Sequence, residues 1–209
     1  MINIARHWPV NILSEDVDIS DEENQALIDA GEAYVEQYPH EPDILDPNRK
    51  GYNFLDSEAP IVAKFAQFVK ERTYMMMEAE GFIDPLKYDI EILATAREFN
   101  TGERAKTHVH RGCDYVAVYY ADLDVVDDGQ SNFHVPKGRL LITDPISQRS
   151  RALNHTTVID VVPHPKFFIM HPAYLFHQSE PYGGTKPRKF FVFTIRVAEP
   201  IQHPFYKKV

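Results

Sequence analysis

The spacing of apolar residues changes near residue 86 and divides the chain into two regions. Before that point, apolar residues recur about every three to four positions, which is the repeat of an amphipathic helix. After it, short stretches rich in Val, Ile, Phe, Tyr and Thr alternate with turn residues, which is typical of antiparallel strands. The pattern therefore predicts helices followed by a run of strands.

The first predicted helix has a clear start signal. Ser20 and Glu23 form a capping-box pattern, in which the serine side chain accepts from the glutamate amide and the carboxylate reaches back to the serine amide. We expect this helix to run from about Asp21 to Tyr38, because Pro39 cannot continue it.

The second predicted helix starts at Ser57 and ends near Gly81. Pro60 fits its first turn, where proline is tolerated. One face is apolar except for Arg72, whose charged end we expect to extend to solvent. The apolar positions expected on that face are Ile61, Phe65, Phe68, Met75 and Ala79.

Six strands are predicted in the second region. They are Tyr88–Arg97, Tyr115–Leu123, Arg139–Thr143, Thr156–Val162, Phe167–Met170 and Lys189–Val197. Strands this short, separated by turn residues, indicate an antiparallel sandwich or barrel. We therefore expect one α+β domain over residues 1–209, with a mainly helical layer at 1–86 packed on one sheet of a core at 87–209.

Composition narrows the classes of function. The 209 residues are 44% hydrophobic and 25% charged, as in an ordinary globular domain. The net charge of −9 and the absence of a basic stripe argue against nucleic-acid binding. No apolar run approaches the roughly 20 residues that span a bilayer, and the N-terminus lacks a secretion-signal pattern. With Cys113 as the single cysteine, we expect a cytoplasmic protein.

Three histidines are the candidate metal ligands. His108 and His110 are two residues apart, so in a strand both imidazoles would point to one side. His177 follows another strand-like stretch, and a small barrel can bring it beside the first two. Three protein ligands on one side of a metal leave the other positions open for substrate or oxygen.

Five motifs follow one another in order over residues 90–197. They are His108-Val-His110, Val118-Tyr119-Tyr120, the segment from Gly138 to Asp144-Pro145, the Pro172…His177…Pro181 spacing, and Arg188 at the start of the last strand. This ordered set resembles the small 2-oxoglutarate/Fe(II)-dependent oxygenases.

The resemblance implies a double-stranded β-helix (jelly-roll) core, Fe(II) as the metal, and 2-oxoglutarate with O2 as cosubstrates. His108 and His177 match the two metal histidines of that family, and Arg188 matches the arginine that binds the far carboxylate of 2-oxoglutarate. Tyr119 or Tyr120 is expected to add a hydroxyl to the same carboxylate. The implied activity is hydroxylation of a small molecule or an amino-acid side chain.

The third metal ligand stays open at this point. The wider superfamily has a carboxylate two residues after the first histidine, giving two histidines and one carboxylate. This chain has His110 there. Either three histidines hold the metal, or a carboxylate comes from elsewhere, with Asp114 as the nearest candidate.

Two other classes of function fit the same residues. The spacing Gly102…His108-x-His110…Asp114 resembles the first cupin motif, which would indicate a three-histidine dioxygenase or an isomerase on the same jelly roll. A ligand-binding jelly roll without metal chemistry is the other alternative. Tyr174 stands where the second cupin motif has glycine, and Arg188 is explained only by the oxygenase interpretation.

Three loops, at 100–106, 125–136 and 148–154, are expected to shape the mouth of the site, because loops on a rigid scaffold carry recognition. A jelly-roll edge can also pair with a second subunit, so a homodimer is possible.

Overall fold

The computed structural model describes residues 2–7, 10–38, 53–124, 138–143 and 158–198. Its two α-helices are α1, Asp21–Gln37, and α2, Pro60–Ala79. The predicted capping box of α1 is confirmed: the Glu23 amide donates to Ser20 Oγ at 3.1 Å, and the Ser20 amide donates to the Glu23 carboxylate at 3.4 Å. The first helix therefore lies where the sequence predicted it, whereas α2 begins at Pro60, three residues after the predicted start at Ser57.

The described residues form nine strands in two antiparallel sheets. The strands are β1 Asn3–His7, β2 Val10–Asp16, β3 Asp89–Phe99, β4 Tyr115–Asp122, β5 Leu140–Thr143, β6 Val158–Val161, β7 Phe167–Pro172, β8 His177–Ser179 and β9 Arg188–Ala198. The larger sheet has the order β1-β2-β7-β4-β9-β3, and the smaller one has the order β6-β5-β8. The predicted α+β class is confirmed.

Three strands, β1, β2 and β8, were not predicted from the sequence. In β2, five of the first six residues are buried, so its apolar residues do not alternate with polar ones in the way that identifies a strand with one exposed face. β1 pairs with β2, and β2 pairs with β7 through Leu13 opposite Met170. A strand pair therefore precedes the helices in the region expected to be mainly helical.

The larger sheet has two faces with different partners. One face, called here the helix face, packs against α1 and α2 and contributes side chains such as Tyr119 and Phe193. The other, called here the site face, packs against the smaller sheet and contributes Val118 and Phe190. Because side chains alternate along a strand, neighbouring residues belong to different layers of the molecule.

The buried side of α2 differs by about one position from the predicted face. Its most buried residues are Val62, Phe65, Val69, Thr73, Met76 and Met77. The apolar pattern extends around much of the helix, so hydrophobicity alone does not select a unique stripe. None of the described helices is long and apolar enough to cross a membrane.

Arg72 does not extend to solvent as expected. Its guanidinium makes a two-pronged contact with Glu15 of β2, with Nε 2.5 Å from Oε1 and Nη2 3.1 Å from Oε2. Glu15 is only 6% exposed. This ion pair therefore joins α2 to the strand pair that the sequence did not predict.

We expect Arg72→Met to destabilise the protein by about 3 kcal/mol or more, because it leaves the buried Glu15 carboxylate without its cation. Replacing both partners, as in Arg72→Met with Glu15→Leu, should recover most of that loss. Urea unfolding of the two variants tests this, and a double variant less stable than the single one would contradict it.

Candidate active site

A cavity of about 80 Å³ lies between the two sheets. Its floor is the site face of the larger sheet, including Val118, Phe190 and Arg188. Its roof comes from β8 and from the segment that carries His108 and His110. The cavity therefore has imidazoles in one wall and a guanidinium in another.

The first two histidines are positioned by pairing with β8 and the residues before it. The amides of His108 and His177 each donate to the other's carbonyl at 3.0 Å, forming an isolated β-bridge. The His110 amide donates to the Ala173 carbonyl at 3.1 Å. His110 lies outside any strand, so the predicted strand geometry of the His-x-His pair is wrong, although the two imidazoles do converge.

The three imidazoles form one cluster. Ring centroids are 4.3 Å apart for His108 and His177, 5.0 Å for His108 and His110, and 5.2 Å for His110 and His177. One nitrogen from each ring lies within 4.8 Å of the others, and burial increases from His108 to His177. This arrangement is the geometry of a three-nitrogen metal site.

Backbone carbonyls orient two of the rings. The Nδ1 atom of His108 lies 2.6 Å from the Lys106 carbonyl, and that of His177 lies 2.9 Å from the Leu175 carbonyl. A hydrogen bond of this kind places the proton on Nδ1 and leaves Nε2 as the free donor of an electron pair. Both rings are thereby held in the form that binds metals.

Burial keeps two of the imidazoles neutral. Loss of solvent lowers the pKa of His110 to about 3, and the neighbouring His177, His108 and Arg97 contribute in the same direction. Loss of solvent also lowers the pKa of His177 to about 3. A metal ligand must be the neutral imidazole, so both rings are ready for coordination at neutral pH.

Arg188 lines the same cavity and is 2% exposed. Its Nη1 donates to the Gly138 carbonyl at 2.7 Å, whereas its buried Nε has no hydrogen-bond partner among the described residues. Four aromatic rings surround the guanidinium, with centroids 5.2 to 5.8 Å from Cζ: Phe99, Tyr120, Tyr182 and Phe190. A buried cation with an unused donor suits an anionic ligand.

Gly138 makes room for this guanidinium. Its φ is +65°, and a Cβ atom placed there would lie 3.0 Å from Arg188 Nη1. A larger residue would be strained in this left-handed conformation and would crowd the arginine. The glycine of the Gly138-Arg-Leu motif therefore leaves the space that the Arg188 guanidinium occupies.

The two tyrosines expected beside Arg188 lie on opposite faces of β4. Tyr120 lines the cavity. Tyr119 lies on the helix face, where its hydroxyl donates to the Asn24 side chain at 2.7 Å. The expectation that Tyr119 contributes to this cavity is therefore wrong, since adjacent residues of a strand point in opposite directions.

Asp114 is not part of the histidine cluster. Its carboxylate accepts a hydrogen bond from the Val197 amide at 2.7 Å, and no carboxylate joins the three nitrogen atoms among the described residues. Asp114, the carboxylate considered as the third metal ligand, therefore does not complete this cluster. Cys113 donates through Sγ to the His110 carbonyl at 3.6 Å, and burial raises the pKa of its thiol to about 11, which disfavours the thiolate.

His171 lies behind the cluster. It is fully buried, with its ring centroid 4.7 Å from that of His177. Its Nδ1 lies 2.9 Å from the Pro172 carbonyl, and its Nε2 has no hydrogen-bond partner among the described residues. The predicted strand ended at Met170, whereas β7 continues to Pro172 and puts His171 opposite Val116 of β4, on the site face.

Two of the three loops expected to shape the mouth, at 125–136 and 148–154, lie outside the described residues, as does the Asp144-Pro145 pair. The third loop is described. The Ala105 carbonyl in it accepts from the Ser179 amide at 3.1 Å, which ties the loop to β8.

Residues 96–194 match the family model described as "Putative 2OG-Fe(II) oxygenase". The match includes the three clustered histidines and Arg188. No curated protein sequence matches the chain.

Several solved structures share the fold. A prolyl-4-hydroxylase from Pseudomonas putida aligns with a TM-score of 0.57 at 12% identity, over 88% of this chain and 86% of that one. A prolyl hydroxylase from Trichoplax adhaerens, solved with a peptide fragment of the hypoxia inducible factor oxygen degradation domain, gives 0.59 at 10% identity over 88% and 83%. AviO1 from Streptomyces viridochromogenes gives 0.54 at 13% identity over 93% and 92%.

At these identities the likeness shows the fold, a double-stranded β-helix core with helices on one sheet. The family match favours the oxygenase interpretation over the cupin and the metal-free alternatives. The match over residues 96–194, together with the shared fold, supports a 2-oxoglutarate- and Fe(II)-dependent oxygenase.

Proposed function

We propose that His108, His110 and His177 hold Fe(II), that Arg188 holds the far carboxylate of 2-oxoglutarate, and that the enzyme hydroxylates a small molecule or an amino-acid side chain. One observation carries this proposal. Three imidazole nitrogens within 4.8 Å of one another and a buried arginine line one cavity of the oxygenase fold.

The donor set fits the metal. Imidazole is a good ligand for Fe(II), and two of the rings are oriented by carbonyls that leave Nε2 available. Three neutral imidazoles leave the full charge of the ion in place, whereas a carboxylate ligand would cancel one unit. A dianionic cosubstrate supplies the compensating charge in this arrangement.

The arginine fits the cosubstrate. A guanidinium can hold a carboxylate with two parallel hydrogen bonds, and Arg188 has a buried Nε that no described group uses. The Gly138 carbonyl and the surrounding rings fix its orientation before any ligand binds. Arg188 therefore offers a preformed site for one end of a dicarboxylate.

Bound iron and 2-oxoglutarate supply the activation of O2, and the protein supplies position and a dry environment. The apolar side chains of Val118, Phe190 and Val192 line the cavity, which favours the exclusion of water from it. Two of the structural neighbours are prolyl hydroxylases, which supports hydroxylation of an amino-acid side chain as the reaction.

An anaerobic titration tests the proposal without knowledge of the prime substrate. Adding Fe(II) and then 2-oxoglutarate to the metal-free protein should give a weak visible charge-transfer band that saturates at one equivalent. The band should be lost in His108→Ala and in His110→Ala, since each removes one of three ligands.

Two other results would each contradict part of this assignment. Full retention of the band in His110→Ala would remove that residue from the metal site. Iron binding without any band would indicate a cupin-type centre that does not chelate the keto acid.

A further inference from the structure

A second guanidinium lines the cavity of Arg188 and the three histidines. Arg97 lies in β3, next to β9, and its side chain belongs to the site face with that of Phe99. It plays no part in the function proposed above. The cavity is about 80 Å³, which is room for one small ligand. The two arginines therefore face the same ligand.

The strand register sets the distance between the two arginines. Arg188 is opposite Phe99 in the β3–β9 pair, and Arg97 is opposite Phe190. Arg97 is therefore displaced from Arg188 by two residues along the strands, which is about 6.8 Å. The carboxylate carbons of a five-carbon diacid are separated by roughly 5 Å, given C–C bonds of about 1.5 Å.

Arg97 lies toward the histidines and Arg188 lies away from them. Arg97 is opposite Phe190 of β9, two residues nearer than Arg188 to Thr194. At the level of Thr194, Val116 of β4 pairs with His171, whose ring lies beside that of His177. Arg188 is instead anchored on Gly138. Thr95, two residues from Arg97 on the same face of β3, has a buried hydroxyl without a hydrogen-bond partner among the described residues. A buried polar atom without a hydrogen-bond partner in the protein is usually explained by a bound ligand or an ordered water.

We propose that Arg97 holds the carboxylate of 2-oxoglutarate that adjoins the keto group, so that Arg97 and Arg188 clamp the two ends of the cosubstrate. This inference rests on the function proposed above, because it takes the cavity as the cosubstrate site. Arg97 is then a positioning residue that orients the keto-acid end toward the three histidines.

Two keto acids separate the roles of the arginines. 2-Oxoglutarate has both carboxylates, whereas 2-oxovalerate has the keto acid and lacks the far carboxylate. Their affinities can be measured by calorimetry on protein loaded with Mn(II), which binds the same ligands without reacting with oxygen. The readout is binding and does not depend on turnover.

We expect Arg97→Gln to weaken the binding of both keto acids by a similar factor, about 10- to 100-fold, as expected for losing hydrogen bonds to a charged group. Arg188→Gln should weaken only the binding of 2-oxoglutarate. Arg97→Lys keeps the charge and loses the planar fork, so its affinities should lie between those of wild type and Arg97→Gln. Lys64→Gln on α2 removes one positive charge on the helix side and should change neither affinity.

Two results would overturn the inference alone. Unchanged affinities in a folded Arg97→Gln protein would show that Arg97 does not contact the cosubstrate. A loss confined to 2-oxoglutarate would place Arg97 at the far carboxylate with Arg188. If the wild-type protein bound neither keto acid, the proposed function itself would fail and the inference with it.

Discussion

Replacing His177 by alanine is expected to lower the affinity for Fe(II) by at least about 100-fold. Removing a partner that only orients a ligand typically costs 10- to 100-fold, so loss of a ligand should cost more. His177 is the most buried of the three histidines, and its ring is held by the Leu175 carbonyl. Anaerobic titration against a competing chelator measures the effect.

His164→Ala is the matched control for this variant. His164 is half-exposed and lies 2.5 Å from the Asp16 carboxylate, away from the cluster. Iron affinity should stay at the wild-type value in this control, and thermal unfolding should show that His177→Ala is folded. Wild-type iron affinity in folded His177→Ala would place the metal elsewhere.

Arg188→Gln is expected to lower the affinity for 2-oxoglutarate by about 30- to 1,000-fold. This range corresponds to roughly 2–4 kcal/mol, which lies within the cost of about 2–5 kcal/mol for removing one member of a buried, hydrogen-bonded charge pair. Iron affinity should be unchanged, because Arg188 lies outside the cluster of histidine nitrogens proposed to bind the metal. Calorimetric titration of the metal-loaded protein with 2-oxoglutarate measures the effect.

The tyrosine pair of β4 provides a control for the same experiment. Tyr119→Phe removes a hydroxyl on the helix face, which is bonded to Asn24, and should leave the affinity for 2-oxoglutarate unchanged. Tyr120→Phe changes a ring that lines the cavity. Normal cosubstrate affinity in folded Arg188→Gln would remove the role assigned to that arginine.

Local patterns were enough to predict most of the secondary structure. The capping box at Ser20 and the proline in the first turn of α2 act within a single turn of helix, so neighbouring residues decide the outcome. The strand β2 could not be found in this way. Five of its first six residues are buried, and a strand covered on both sides has no alternating pattern.

In the candidate site, too, the sequence identified the possible residues and the tertiary structure decided which of them lie together. The sequence identified His108, His110 and His177 as a possible set, but the choice between His110 and Asp114 depended on where each side chain points. The structure puts His110 in the cluster and uses the Asp114 carboxylate to accept from the Val197 amide. The choice between Tyr119 and Tyr120 likewise depended on which face of β4 meets the smaller sheet.

The sequence by itself determined the fold class, the start of α1, the candidate metal-ligand residue types and the resemblance to the oxygenases, because each depends on residues close together or on ordered motifs. Only the tertiary structure decided the ion pair of Arg72 with Glu15, the place of His171 and the presence of Arg97 beside Arg188. These depend on which strands pair and in what register. A register is set by contacts between residues far apart in the chain, which no local pattern records.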